Sequence, residues 1–400
     1  MTLAQRWLLS HLFAASGARA IPGVDGCTLG NVFLRQSSSH RNAAMRAIVL
    51  ALLLLCADPA AAVEQSLPAI DRIVAQSLGQ DAPGIAVLVT RAGKVVHMRG
   101  YGYANLQDLT AVSADTVFDL ASVSKQMTAF GAALLIADGT WTLESEISEV
   151  LPDFASDGVE RAITVSDLIH HVAALPDYLS AEDVEFTETS TNAEVVEWLA
   201  GMPLTGAPGL RYEYSNSAYL LLASAIAAAA ATPDLRSFLN QRVWQPLGMS
   251  STSIATPAAS VKRQHIARGY KGEDGEFELS EAPSQVQGDG SVLTTLRDLA
   301  GYERALVEHR LLDAAHTKML FENGEFDNGN PIDDGEGSGY GFGWSLGEWD
   351  GSRYATHSGS WMGTSTYYLR NLDSGVSVIV LANCEDMDVE ALASAVEAAL

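Results

Sequence analysis

Basic residues are scarce in this chain of 400. Lysine and arginine together number 24, against 49 aspartates and glutamates, for a formal net charge of −25. Such a surface repels nucleic acid and anionic membranes, so neither is expected as a partner. The acidity is read as a device for solubility or for an ionic habitat. Cysteine is scarcer still, at three. Cys27 and Cys56 lie near the N-terminus, so the rest of the chain holds only Cys384 and can form no internal disulfide. Cys-x-x-Cys, His-Glu-x-x-His and Gly-x-Ser-x-Gly do not occur, which removes common redox, zinc and hydrolase-elbow signatures. His170 and His171 are adjacent, so on one helix they point apart, and packing explains them better than metal ligation. No metal and no cofactor is expected.

Long apolar runs are also few. Residues 45–62 carry one arginine, an apolar core and an Ala60-x-Ala62 site, the pattern of a cleaved secretory signal. The core falls short of the roughly 20 apolar residues a spanning helix needs. No stable membrane insertion is therefore expected after cleavage, and the product is expected to be periplasmic or secreted. Because this signal is internal, the reading places the true start at Met45, with residues 1–44 an upstream extension. An organelle transit sequence is the alternative. Residues 63–400 then form the working unit. Without residues 1–62, which hold five arginines and two aspartates, it has 19 basic and 47 acidic residues.

Against this background one lysine stands out. Lys125 is one of five lysines, and it lies in Ser122-Val-Ser-Lys125 at the head of a segment, Ser122–Ala137, apolar nearly all round. That pattern predicts a buried helix ending at Gly139. A lysine there is costly unless its ammonium is paired or faces a wet cleft. Residues three apart share a helical face, so Lys125 stands beside Ser122: a nucleophile next to a group that can move its proton. The plainer alternative is a capping serine and a snorkelling lysine stem.

Two further motifs follow. Tyr214-Ser215-Asn216 lies at the mouth of a second apolar helix, after a Pro208-Gly209 turn. A tyrosine beside an ammonium can serve as a base, and asparagine offers both a donor and an acceptor to an amide. Tyr103-Ala104-Asn105 fits the same pattern, but on a hairpin before the serine helix. His357-Ser358-Gly359-Ser360 ends a strand-like run, where glycine lets another chain come close.

Ser-x-x-Lys, Tyr-x-Asn and His-x-Gly in this order resemble the serine β-lactamase and penicillin-binding-protein superfamily, specifically its class C β-lactamase-related branch. Flanking segments match as well: Val165–Tyr178, Gln245–Met249, Gly288–Leu299 and Tyr340–Trp344. The resemblance covers most of residues 68–400. It implies an α/β fold of β-lactamase/transpeptidase type: an antiparallel sheet flanked by terminal helices, with a mostly helical part inserted. Residues 63–140 and 286–400 would form the α/β part and 141–285 the helical part. It further implies acyl transfer through Ser122, with Lys125 and Tyr214 sharing the proton. The N–H groups of Ser122 and Ser360 would hold the oxyanion. Asn216, His357, Gly359 and Ser360 would contact the substrate.

The resemblance departs at two places. His357 stands where β-lactamases of this class carry lysine, and Val172-Ala173-Ala174 where the family often has Thr-Ser-Gly. Histidine is largely neutral at pH 7 and makes a weak carboxylate anchor. The expected substrates are therefore small esters or D-amino-acid amides. A D,D-carboxypeptidase or endopeptidase of cell-wall peptides comes second, a β-lactamase third and a non-catalytic binder last. The oligomeric state is left open.

Overall fold

Ile85–Arg91 (β1) is buried at every residue but its last. Ile85, Val87 and Val89 enter one apolar cluster, while Ala86 and Leu88 enter another. Successive strand side chains point to opposite faces, so a strand like this must lie in a sheet covered on both sides. The computed structural model contains that sheet. It describes residues 66–400 apart from 80, 155–160, 182–186, 188, 256–264, 274 and 283. The expected leader, its Met45 start and its Ala60–Ala62 cleavage site lie outside the described residues.

β1 turns through Ala92 and Gly93, both at positive φ, into Lys94–Tyr101 (β2). Positive φ at both centres is the backbone that a two-residue hairpin between twisted strands demands. The chain's other end supplies Gly339–Tyr340 (β3), Ser345–Trp349 (β4), Ser352–Trp361 (β5), Thr364–Asn371 (β6) and Val376–Ala382 (β7). Their spatial order is β3-β4-β5-β6-β7-β1-β2, antiparallel throughout. N- and C-terminal strands therefore meet at β1–β7, where Val87 faces Val380.

Five helices set the layers: Pro68–Ser77 (α1), Lys125–Ala137 (α2), Asn216–Ala229 (α3), Leu296–Val307 (α4) and Val389–Glu397 (α5). Ile70 and Val74 of α1, with Leu392 and Val396 of α5, cover the face bearing Val87, Val378 and Val380. Burying side chains of this size is worth about 1.5–3 kcal/mol each. The opposite face meets α2, α3 and α4 in the larger cluster. Residues 141–285 add helices at Val165–Ile169, Asn192–Ala200 and Leu235–Leu239. They also carry short strands at Ser253–Ile254, Tyr270–Lys271 and Glu278–Leu279. No helix among the described residues is long and apolar enough to cross a membrane.

Three local expectations are revised. The α-helix begins at Lys125, not Ser122, because Ala121–Ser124 forms a 3₁₀ turn. Ala121 has φ +45°, a conformation costly to a residue with a Cβ, and it tightens the entry to the helix. The strand expected to end at His357 runs on to Trp361, with Gly359 paired to Thr366 of β6. The strand read near Gly341–Glu348 begins only at Ser345, after a turn that parts it from Gly339–Tyr340. Gly343, at φ +75°, is needed there, since a Cβ would lie 2.7 Å from the backbone of Lys125.

Candidate active site

Every element at the cleft is held by a local rule. Asp119 Oδ1 accepts the Ala121 N–H at 2.8 Å and so braces the strained residue before Ser122. Ser215 caps α3, its Oγ accepting from Ala218 N at 3.1 Å, which sets Asn216 as the first helical residue and Tyr214 just outside. β5 passes the serine closely. A Cβ on Gly359 would lie 2.3 Å from Thr366 Oγ1, 2.5 Å from the Leu120 carbonyl and 3.2 Å from Ser122 N. Only glycine permits that approach. The result is a cleft of about 170 Å³ lined by Ser122, Tyr214, Asn216, Ser360, Asp119 and Asp289, among others. A larger groove of about 810 Å³ beside α1 and α5 shares no lining residue with it.

Lys125 has no solvent-exposed surface. Its Nζ donates to Ser122 Oγ at 3.2 Å, to Asn216 Oδ1 at 2.9 Å and to the Asp289 carbonyl at 2.7 Å. Three donors meeting three acceptors is the geometry of an ammonium. Nζ also lies over the ring of Tyr214, 4.9 Å from its centroid, so the phenol oxygen is not among the three acceptors. Tyr214 is 39% exposed and lines the cleft.

Behind Tyr214 stands a wall of buried aromatic groups that sequence reasoning did not assign to the site. His171 is fully buried, and its Nδ1 accepts the Ser215 N–H at 3.1 Å. The proton must then sit on Nε2, which has no hydrogen-bond partner. The imidazole packs against the rings of Tyr214, Tyr340 and Tyr219, with centroids 4.4, 4.6 and 5.0 Å away. Burial pushes its pKa well below the usual histidine value, and the Lys125 ammonium adds to this. His357 belongs to the same wall. It is buried, with Nδ1 on the Ser358 carbonyl at 2.6 Å and Nε2 accepting from Tyr340 Oη at 2.9 Å. Burial, reinforced by Lys125, pushes its pKa down to about 4, so the ring is neutral. Its centroid lies 6.2 Å from that of Tyr214, and the imidazole does not line the cleft. The structure thus brings Ser122, Lys125, Tyr214, Asn216 and Ser360 together and sets His357 one layer back.

The other wall is acidic, and it too was missed. Asp177 Oδ2 accepts both Asn216 N, at 2.7 Å, and Asn216 Nδ2, at 3.1 Å. This fixes the amide so that its oxygen faces Lys125. Tyr178 Oη donates to Asp289 Oδ2 at 2.8 Å. Burial pushes the Asp289 carboxyl upward, with Lys125 opposing and Asp177 adding to the rise. Burial likewise pushes Asp119 up to about 6, opposed by the Ala121 N–H and reinforced by Asp289. The sequence signal for these acids was faint: each lies one to three residues from a glycine, proline or motif serine. The second Tyr-x-Asn match lies elsewhere. Asn105 accepts from Tyr270 Oη at 3.3 Å and does not line the cleft. His170 and His171 turn to different neighbours, His170 bonding the Ser166 carbonyl at 3.0 Å. Among the described residues no set of three His, Cys, Asp or Glu side chains gathers as a metal site.

A seven-stranded antiparallel sheet between helices, with a serine–lysine pair beside one of its strands, is the layout of the serine β-lactamase and penicillin-binding-protein superfamily. The family model described as Beta-lactamase matches residues 70–400, and the chain belongs to that family as a serine hydrolase. It is 30% identical over 318 residues to penicillin-binding protein 4* of Bacillus subtilis, covering 75% of this chain and 68% of that one. It is 25% identical to protein flp of Staphylococcus aureus strain N315, over 78% of this chain; the match spans 62% of that protein, under two-thirds of its length. The crystal structure of D-amino acid amidase from Ochrobactrum anthropi SV3 with L-phenylalanine amide superposes with a TM-score of 0.66. That match has 23% identity and covers 83% of this chain and 96% of the other.

Proposed function

We propose that the protein hydrolyses small esters or D-amino-acid amides through an acyl-enzyme on Ser122, and that it works in the periplasm or outside the cell. The observation that carries the chemistry is the Lys125 Nζ 3.2 Å from Ser122 Oγ, with Tyr214 and Asn216 at the same cleft. Ser122 Oγ attacks the substrate carbonyl carbon, and its proton passes to whichever of Lys125 Nζ and Tyr214 Oη enters the step deprotonated. The oxyanion rests on the N–H groups of Ser122 and Ser360, at ~3 kcal/mol for each well-aimed donor. The proton returns to the leaving group, and water then cleaves the ester. Secretion is supported by the segment at residues 45–62. A mature N-terminus near residue 63 would bear it out, and a mature chain retaining Leu3 would refute it.

Turnover of p-nitrophenyl acetate, with intact-mass analysis after a fluorescent phosphonate, tests the chemistry. Wild type should gain one adduct, and Ser122→Ala should gain none and lose at least ~10³-fold in rate. A Ser122→Ala enzyme that hydrolyses the ester at the wild-type rate would overturn the reading. Cleavage of cell-wall D,D-peptides is the second reading, supported by the likeness to penicillin-binding protein 4*.

A further inference from the structure

Among the described residues, the cleft around Ser122 is lined by two carboxylates, Asp119 and Asp289, and by no lysine, arginine or histidine. Lys125 approaches from beneath with all three donors committed to protein acceptors. Asp177, which holds Asn216, adds a third negative charge coupled to Asp289. Three carboxylates thus face one ammonium. A substrate carboxylate entering here meets repulsion and finds no cation to pair with. A substrate ammonium meets the reverse.

We infer that Asp119 and Asp289 select acyl groups carrying a free ammonium next to the scissile carbonyl, and reject those carrying a carboxylate there. This rests on the hydrolase reading above and narrows its substrate class to amino-acid amides and esters with a free α-amine. The position fits the chemistry. Asp119 is three residues before Ser122 and is tied to the amide of Ala121, so its charge lies beside the nucleophile, where an α-substituent of the acyl group must pass. Asp289 presents its carbonyl to Lys125 and its carboxyl to Tyr178 at the same cleft. Both acids are partly or wholly shut off from water, where their repulsion is least screened and an entering ammonium does most to relieve it.

The test separates binding from turnover by using Ser122→Ala. Calorimetry at pH 7 compares both enantiomers of alaninamide with lactamide, which replaces the ammonium by a hydroxyl of similar size, and with N-succinyl-alaninamide, which carries a carboxylate. At least one alaninamide enantiomer should bind about tenfold or more tightly than lactamide, as expected for a charge-assisted hydrogen bond, and the succinyl compound should bind weakest. Adding Asp119→Asn or Asp289→Asn, which keep the acceptors for Ala121 N–H and Tyr178 Oη, should bring the alaninamide-to-lactamide ratio to within about threefold. Thermal melts confirm that each variant is folded. Equal binding of alaninamide and lactamide, tighter binding of the succinyl compound, or a ratio untouched by both substitutions would overturn the inference. Because no turnover is read, these outcomes do not depend on the ester assay. Failure of the hydrolase reading shows itself separately, as residual wild-type activity in Ser122→Ala.

Discussion

The two walls of the cleft are both withdrawn from water, yet they are built from opposite materials. One is aromatic and neutral: His171, His357, Tyr219 and Tyr340, with Tyr214 at its face. The other is anionic: Asp119, Asp177 and Asp289. Burial acts on both and drives their titrations apart. It pushes histidines down and carboxylates up, because in each case it disfavours the charged form. The aromatic wall therefore fixes geometry without adding charge, while the acidic wall carries charge that a ligand can relieve. Lys125 stands at the seam, its Nζ over the Tyr214 ring on one side and on the Asp289 carbonyl at the other.

The largest effect should come from breaking the seam. Lys125→Ala and Tyr214→Phe should each cost on the order of 10³-fold in kcat/KM for an ester, and the double variant little more than the worse single one. Independent, multiplicative losses would show that the two do not share one proton path. Next in size is charging the neutral wall. His357→Lys removes the bonds to Ser358 and Tyr340 and buries a second ammonium near the first, which should cost about 3–5 kcal/mol in stability. Urea unfolding reads this directly. A variant as stable as wild type would mean that this wall tolerates charge after all and differs from its neighbour only in composition.

The smallest effect sharpens the comparison through pH. His357 and His170 have folded pKa values of about 4, below the ordinary 6.5. Their contribution to stability is present above pH 6.5 and is lost as pH falls through 4. Asp119, raised from 3.8 to about 6, acts in the other direction, its contribution being complete below 3.8 and lost as pH rises through 6. The two walls oppose each other across this window. Asp119→Asn deletes the opposing limb, so stability should climb more steeply between pH 4 and 6, by about 1–2 kcal/mol over the window. Denaturant midpoints across that range check it, and an unchanged slope would mean that the fold does not raise the Asp119 carboxyl.

Much of this was legible in the sequence. The apolar helix carrying Lys125 and the capped helix at Asn216 are local patterns, and local patterns are what periodicity and capping rules read. Ser122, Lys125, Tyr214, Asn216 and Ser360 were named from motifs and stand at one cleft. Strand limits were less legible. Ser358-Gly359-Ser360 reads as a break, and only the Leu120 carbonyl and Thr366 packed against Gly359 explain why a strand of this composition continues.

By itself, then, the sequence determined the family and set Ser122 one helical turn from Lys125, because both are written in short motifs, while the sheet built from both termini followed from the family resemblance. Only the tertiary structure decided which groups share the cleft. Asp119, Asp177 and Asp289 span 170 residues of chain, and none has an unusual neighbour in sequence. They come together only because Asn216 and Asp289 each fold to within 3 Å of Lys125 Nζ. The same folding turned His357 away from the substrate side. A strand residue's face is set by register, and here register placed the imidazole under Tyr340, where burial keeps it neutral.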